Sequence, residues 1–187
     1  MNPTQPTMTS YQPPERIETK RLVLRIPRLS DVRTIFDTYT HDPEVTRYLM
    51  WRPHTHIDET QQFLVGCLDA WENGKRFPYV ITLKGADDAI GMIDFHIHGS
   101  TVGLGYMIAR PHWGRGYTPE AVQAVIEWAF SQPLIYRVNA TCDVENVASA
   151  RVMEKAGMQR EGLLRRYVLH PNISDEPRDC YIYAIVK

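Results

Sequence analysis

The sequence predicts a single-domain α/β (α+β) fold in which a mixed, mostly antiparallel sheet carries helices on both faces. Three observations predict it. Strand-like segments dominate both halves of the 187-residue chain. Two of them meet across Gly99-Ser100 in a hairpin signature. Amphipathic helical stretches fall between the strands, and such faces have to be buried against a sheet. A chain of this length is long enough for one domain with a sizeable core.

Each element follows from local pattern. RLVLRI (Arg21–Ile26) alternates polar and apolar residues and reads as a strand. Ser30-Asp31 opens a helix expected to run to about Thr40, where His41-Asp42-Pro43 breaks it before a short helix to about Met50. From Asp58 to Asn73, residues Phe63, Leu64, Cys67, Leu68 and Trp71 share one helical face, and Gly74 stands where a helix C-terminus favours glycine. FPYVITL (Phe77–Leu83) and AIGMIDFHIH (Ala89–His98) are strands separated by the turn GADD, and Val102–Ala109 completes the hairpin. Pro119–Phe130 is a helix, Ile135–Cys142 a strand, and Asn146–Ala156 a helix closed by Gly157. Two last strands lie near Met158–Leu169 and Asp179–Lys187, around a loop that contains His170-Pro171-Asn172.

Composition narrows the function. The chain is 43% hydrophobic and 23% charged, with net charge -1, so nothing draws it electrostatically to nucleic acid or to a membrane surface. No apolar run is long enough to span a bilayer, and MNPTQPTMTSYQPPER lacks the apolar core of a signal peptide. The cysteines, Cys67, Cys142 and Cys180, are odd in number and far apart, which argues against a disulfide framework and for a reducing, cytoplasmic setting. Residues 1–14, rich in Pro, Thr and Gln, read as a flexible tail, and 15–187 as the domain. His54-Thr55-His56 and His96-Ile97-His98 are H-x-H pairs with no cysteine nearby, so no metal is expected.

The chemistry centres on RPHWGRGYTPEA (Arg110–Ala121). Thr118 is expected to cap the following helix, with Pro119 at its first position. The unpaired amides of a helix start, with the macrodipole, form an anion site. Gly114 and Gly116 let a ligand approach the backbone, and Arg115 adds a charge. The P-loop pattern is absent, and a dinucleotide pattern would need glycine where Pro119 stands. The residues alone permit two readings, a plain strand-to-helix turn or a phosphate cradle. Glu120 counts against the cradle, since its charge repels phosphate.

GYMIARPHWGRGYTPEA (Gly105–Ala121), followed by DVENVASARVMEKAGMQREG (Asp143–Gly162), resembles the GNAT superfamily of acetyltransferases, and within it the ribosomal-protein N-terminal acetyltransferase (Rim-type) branch. The resemblance covers about Thr19 to the C-terminus and implies the acyl-CoA N-acyltransferase fold. It implies acetyl-CoA as co-substrate, with the pyrophosphate on the loop Trp113, Gly114, Arg115, Gly116, Tyr117 and Thr118. The superfamily has Gln or Arg at the position of Trp113, where the branch commonly has an aromatic, and Gly or Ala at the position of Thr118. Met107, Ile108 and Ala109 would pair with pantetheine like an added strand, the Ile108 amide polarising the thioester carbonyl. Asn146 would bond the pantetheine arm, and Arg151 a phosphate at the adenosine end.

The implied reaction is direct attack of a primary amine on the thioester in a ternary complex. The acceptor is a protein N-terminal α-amine or a small amine, and the enzyme a monomer or homodimer. The tyrosine acid that many members place seven residues after the asparagine is replaced by Met153, and Ser149 fills the serine position of the closer branch. Asp94, His96 and His98 alternate on one strand face, which reads as a solvent-facing polar stripe or, since the implied fold sets this strand beside the acyl-binding one, as the place of the base, His96 or Asp94. Trp51 and His54 fall where the substrate cleft would lie. The other function class left open is an acyl-CoA-binding module without catalysis.

Overall fold

The computed structural model describes residues 11–187. An eight-stranded sheet runs in the order β1-β2-β3-β4-β5-β6-β8-β7. Its strands are β1 (Arg16–Glu18), β2 (Leu22–Arg25), β3 (Phe77–Leu83), β4 (Gly91–His98), β5 (Thr101–Ile108), β6 (Arg137–Asp143), β7 (Gln159–Val168) and β8 (Arg178–Val186). Every pairing is antiparallel except β5 with β6, which are parallel. The expected mixed, mostly antiparallel sheet is the one the chain forms.

Two helical layers cover it. On one face α4 (Tyr117–Ser131) and α5 (Val147–Lys155) bury Val122, Val125, Ala129 and Met153 against Ile93, Phe95 and Val138. On the other face lie α1 (Val32–Ile35), α2 (Pro43–Thr46) and α3 (Ile57–Glu72). There Ile35, Tyr39, Leu64 and Cys67 pack on Val80 and Met92. The central strand β3 feeds both layers, Tyr79 and Ile81 to the first and Val80 to the second, which is why it is apolar throughout rather than alternating.

Three local expectations are revised. The helix from Ser30 is broken into a 3₁₀ turn (Leu29–Asp31), α1, and a π turn at Phe36–Thr40. Strand β1 falls in a segment whose short run of alternation gave no signal. The expected tail, residues 1–14, lies for residues 1–10 outside the described residues. Over residues 11–14 the chain packs instead: Tyr11 rests on the core, Pro13 is buried, and the Tyr79 hydroxyl donates to Pro14 O at 2.6 Å.

The feature that positions the site is a divergence. The β5–β6 register holds only for Thr101, Val102 and Gly103 against Arg137, Val138 and Asn139, although β5 continues to Ile108 and β6 to Asp143. Past Gly103 the two strands separate, and α4 and α5 begin at the far ends of the resulting gap. Among the described residues no helix is long and apolar enough to cross a membrane.

Candidate active site

The loop between β5 and α4 forms one wall of the gap. Ala109 N–H donates to Ile90 O at 2.8 Å, so its neighbour Ile108 turns its own N–H and C=O away from β4, toward β6. The Trp113 indole N–H takes the Ile108 carbonyl at 2.8 Å, and the Trp113 amide bonds Arg110 O at 3.1 Å. Trp113 therefore braces the loop against the strand, while the Ile108 amide remains directed into the gap. Met107, Ile108 and Ala109 form the strand end as expected, Ile108 and Ala109 buried and Met107 packed toward α1 and α3.

The helix start differs from the expected cap. Gly116, at φ 75°, is the N-cap of α4, with Thr118 and Pro119 as its second and third residues. Glycine takes the cap because the chain must turn through the left-handed region there. Pro119 is harmless at the third position, where an amide has no intrahelical acceptor in any case. Gly114 also has positive φ, 73°, and a Cβ there would meet nothing within 4 Å. Among the described residues, the amides of Gly114, Arg115, Gly116, Tyr117 and Thr118 donate to no protein acceptor. Five unpaired amides on a glycine turn at a helix start are donors that an anion can use.

Glu120 does not face this turn. Its carboxylate accepts from the Thr19 hydroxyl at 2.6 Å, the Arg21 amide at 2.8 Å and Arg21 Nε at 2.6 Å. Burial alone would raise its pKa, but these hydrogen bonds and the Arg21 charge hold it below the usual carboxylate value. The objection that Glu120 would repel phosphate is met by Arg21, a residue the sequence reading passed over. Arg115 is exposed on the loop, and Arg151 is exposed on α5.

The opposite wall is the turn from β6 into α5. The buried Asp143 closes it, accepting from the Glu145 amide at 2.9 Å and from Arg178 Nε at 2.6 Å. Asn146 is the N-cap of α5, its side-chain oxygen accepting from Ser149 N–H at 3.1 Å, so its Nδ2 donors stay available. Tyr106 reaches from β5 across the gap: its hydroxyl lies 2.9 Å from Ser149 Oγ and 3.1 Å from Ser149 O. Burial raises the Tyr106 pKa above its ordinary value, so the group stays protonated. Tyr106 is thus a partner of Ser149. Met153, at the position of the family's tyrosine acid, is fully buried in the core and carries no ionisable group.

Asp94 and His96 sit on the face of β4 turned toward α1–α3. Asp94 is opposite Gly105 and His96 opposite Gly103. A Cβ at Gly103 would fall 2.6 Å from the His96 ring, so the imidazole lies over that glycine. A Cβ at Gly105 would meet nothing within 4 Å, which leaves open space beside the Asp94 carboxyl. Asp94 Oδ2 is 3.1 Å from Arg76 Nη1, and Oδ1 is buried with no partner. Burial raises the Asp94 pKa to about 6, against the lowering effect of Arg76. Burial and the neighbouring His98 and Arg76 charges lower that of the more exposed His96.

Trp51 and His54 form an aromatic group with Phe63, the Trp51 and His54 rings 4.8 Å apart. His54 Nδ1 pairs with Thr60 Oγ1 at 2.7 Å, so the ring is held from below. The β7–β8 loop closes over this group: Asn172 Nδ2 donates to Thr46 O at 2.7 Å and Trp51 O at 2.8 Å. The segments WRPHTH and HPNIS, unconnected in sequence, are thereby one wall. No group of three or more His, Cys, Asp and Glu side chains among the described residues is placed to hold a metal ion. The three cysteines are free and buried, and burial raises the Cys142 thiol to about 12, as suits a packing residue.

Comparisons with known proteins agree with this architecture. Residues 21–159 match the family model described as an acetyltransferase (GNAT) domain. The chain is 31% identical to the uncharacterized N-acetyltransferase p20 of Bacillus licheniformis, over 92% of this chain and 97% of that protein. It is 25% identical to the [ribosomal protein uS5]-alanine N-acetyltransferase of Escherichia coli, over 94% and 93% of the two chains. The crystal structure of a GNAT-family acetyltransferase from Bacillus anthracis superposes with a TM-score of 0.79 at 32% identity, covering 91% of this chain and 98% of that one. With the diverging strands, the bare glycine turn and a family model that spans most of the domain, the chain belongs to the GNAT family of acetyltransferases, whose co-substrate is acetyl-CoA.

Proposed function

We propose that the protein transfers the acetyl group of acetyl-CoA to the α-amine of a protein or peptide N-terminus, by direct attack in a ternary complex. The observation that carries the reading is Asp94, a carboxyl with one buried, unpartnered oxygen beside open space and a pKa raised to about 6. An α-ammonium has a reference pKa of ~7.7–8.0 and a lysine ~10.4. A base near 6 is about two units from the first and more than four from the second, so it suits an α-amine. The Escherichia coli relative, named for acetylating an alanine of ribosomal protein uS5, supports the same acceptor class.

Acetyl-CoA supplies the activated acyl carbon. The amides of Gly114 to Thr118, with Arg115, hold the pyrophosphate, and Arg151 meets a phosphate at the adenosine end. Asn146 Nδ2 bonds the pantetheine arm along the Met107–Ala109 strand end, and the Ile108 amide donates to the thioester oxygen. Asp94 takes the proton of the attacking amine, directly or through one water, while His96 flanks it over Gly103. As the C–N bond forms and the C–S bond breaks, Ser149 donates a hydrogen bond to the departing sulfur. The reference thiol pKa of ~8.5 makes complete proton transfer unnecessary at that stage. Trp51 and His54 line the acceptor's approach.

The test is the pH–rate profile of wild type and Asp94→Asn with an N-terminally free peptide. Asp94 acts only when ionised, so the wild-type kcat falls as pH drops below about 6. Asp94→Asn should lose roughly 10²–10⁴-fold in kcat, and that acid limb with it. An unchanged limb in the variant would assign the base elsewhere.

A further inference from the structure

The loop of glycines contains a problem of its own. Gly114 and Gly116 flank Arg115, and both have positive φ. Glycine-flanked peptides reorient easily, since no Cβ hinders them. In one orientation they present N–H to an anion, in the other a carbonyl oxygen, which repels it. Something has to select the first.

Arg21, in the turn that leads into β2, is placed to do so. Its Nη1 donates to Arg115 O at 2.9 Å and its Nη2 to Gly116 O at 3.1 Å. In a trans peptide the C=O and N–H point to opposite sides. The Arg115 carbonyl shares its peptide with the Gly116 amide, and the Gly116 carbonyl with the Tyr117 amide. The Gly116 carbonyl also accepts the Glu120 amide of α4, at 3.4 Å, so Arg21 reinforces that peptide, whereas it is the one partner of the Arg115 carbonyl among the described residues. Fixing both carbonyls turns the Gly116 and Tyr117 N–H groups the other way, outward from Arg21. The guanidinium is itself held by two side chains. Glu120 takes its Nε at 2.6 Å, Glu120 being held in turn by Thr19 at 2.6 Å, and the Tyr117 ring centre lies 4.7 Å from the guanidinium. Arg21 also lies against Gly116 itself, since a Cβ there would be in van der Waals contact with Nη2 at 3.4 Å.

We propose that Arg21 is a positioning residue for the acetyl-CoA pyrophosphate: with Glu120 it locks the two peptides of Arg115-Gly116-Tyr117 so that their amides face the ligand. The proposal rests on the reading of this loop as the pyrophosphate site. Lysine retains the charge but is a single compact ammonium without the planar fork that holds both carbonyls. A role that is only electrostatic survives Arg21→Lys; a bridging role does not.

The experiment measures Kd and steady-state constants of the full chain for acetyl-CoA and for acetyl-pantetheine, which lacks the pyrophosphate. Arg21→Gln and Arg21→Lys are both expected to weaken acetyl-CoA binding roughly tenfold, as the loss of two hydrogen bonds implies. Acetyl-pantetheine binding, the acceptor KM and kcat at saturating acetyl-CoA should change less than about twofold. Glu120→Gln, which frees the guanidinium, should show the same pattern more weakly. Wild-type affinity in Arg21→Lys, or equal weakening toward acetyl-CoA and acetyl-pantetheine, would overturn the proposal. A wild type that binds both ligands equally would overturn the loop reading, and the role of Arg21 with it, a result distinct from either of those.

Discussion

Ser149 has two bonded partners that set its reach. Its amide is tied to Asn146, which fixes the first turn of α5, and its hydroxyl is 2.9 Å from Tyr106. With the tyrosine proton on Ser149 Oγ, the serine proton is free to turn toward a sulfur in the gap. Ser149→Ala should lower kcat roughly 10–100-fold, the worth of one hydrogen bond to a charged group, with the KM for acetyl-CoA little changed. Tyr106→Phe should lose less, because the serine remains. Steady-state kinetics at saturating acceptor separates these outcomes. Ser149 was singled out by the family resemblance, which places a serine three residues after Asn146. Tyr106 was not, because the contact spans 43 residues and nothing in the local pattern of β5 distinguishes it from a half-buried strand tyrosine.

At the scale of elements, the β4–β5 ladder decides which side chains meet. Alternation in AIGMIDFHIH placed Asp94 and His96 on a common face, and the hairpin at Gly99-Ser100 set β5 beside them. The register then puts Gly103 and Gly105 opposite His96 and Asp94, one filled by an imidazole and the other open. Gly105→Val should fold, since its Cβ meets nothing, but its side chain would occupy the space beside Asp94. A misfit of that size against the acceptor costs about 1–3 kcal/mol, which raises the acceptor KM roughly 10–100-fold and leaves the acetyl-CoA KM unchanged, as two-substrate kinetics would show. The helix start at WGRGY was located by sequence within two residues, but its cap was not. Thr118 has the side chain of an N-cap, yet the tertiary demand for a left-handed turn gives that place to Gly116. Such a choice is made by the strand and helix that the loop must join, and no local propensity contains it.

Across the whole molecule, function depends on segments far apart in the chain. Arg21 reaches Arg115 O across 94 residues, and Asn172 reaches Trp51 O across 121. The first contact braces the glycine turn; the second joins the Trp51 segment to the β7–β8 loop. The sequence pattern pointed to the strands and helices, because each rests on local spacing, and the two motifs were read from a family resemblance. The cross-chain ties were invisible to it, since their partners are ordinary Arg, Glu and Asn residues until the fold brings them together. The acceptor is the property that depends most on such ties. The most direct measurement uses a peptide with both a free α-amine and an internal lysine, incubated with acetyl-CoA and mapped by fragmentation mass spectrometry. The account predicts acetylation at the α-amine alone, at neutral pH. Acetyl on the lysine side chain with a free N-terminus remaining, or no transfer to either amine, would contradict it.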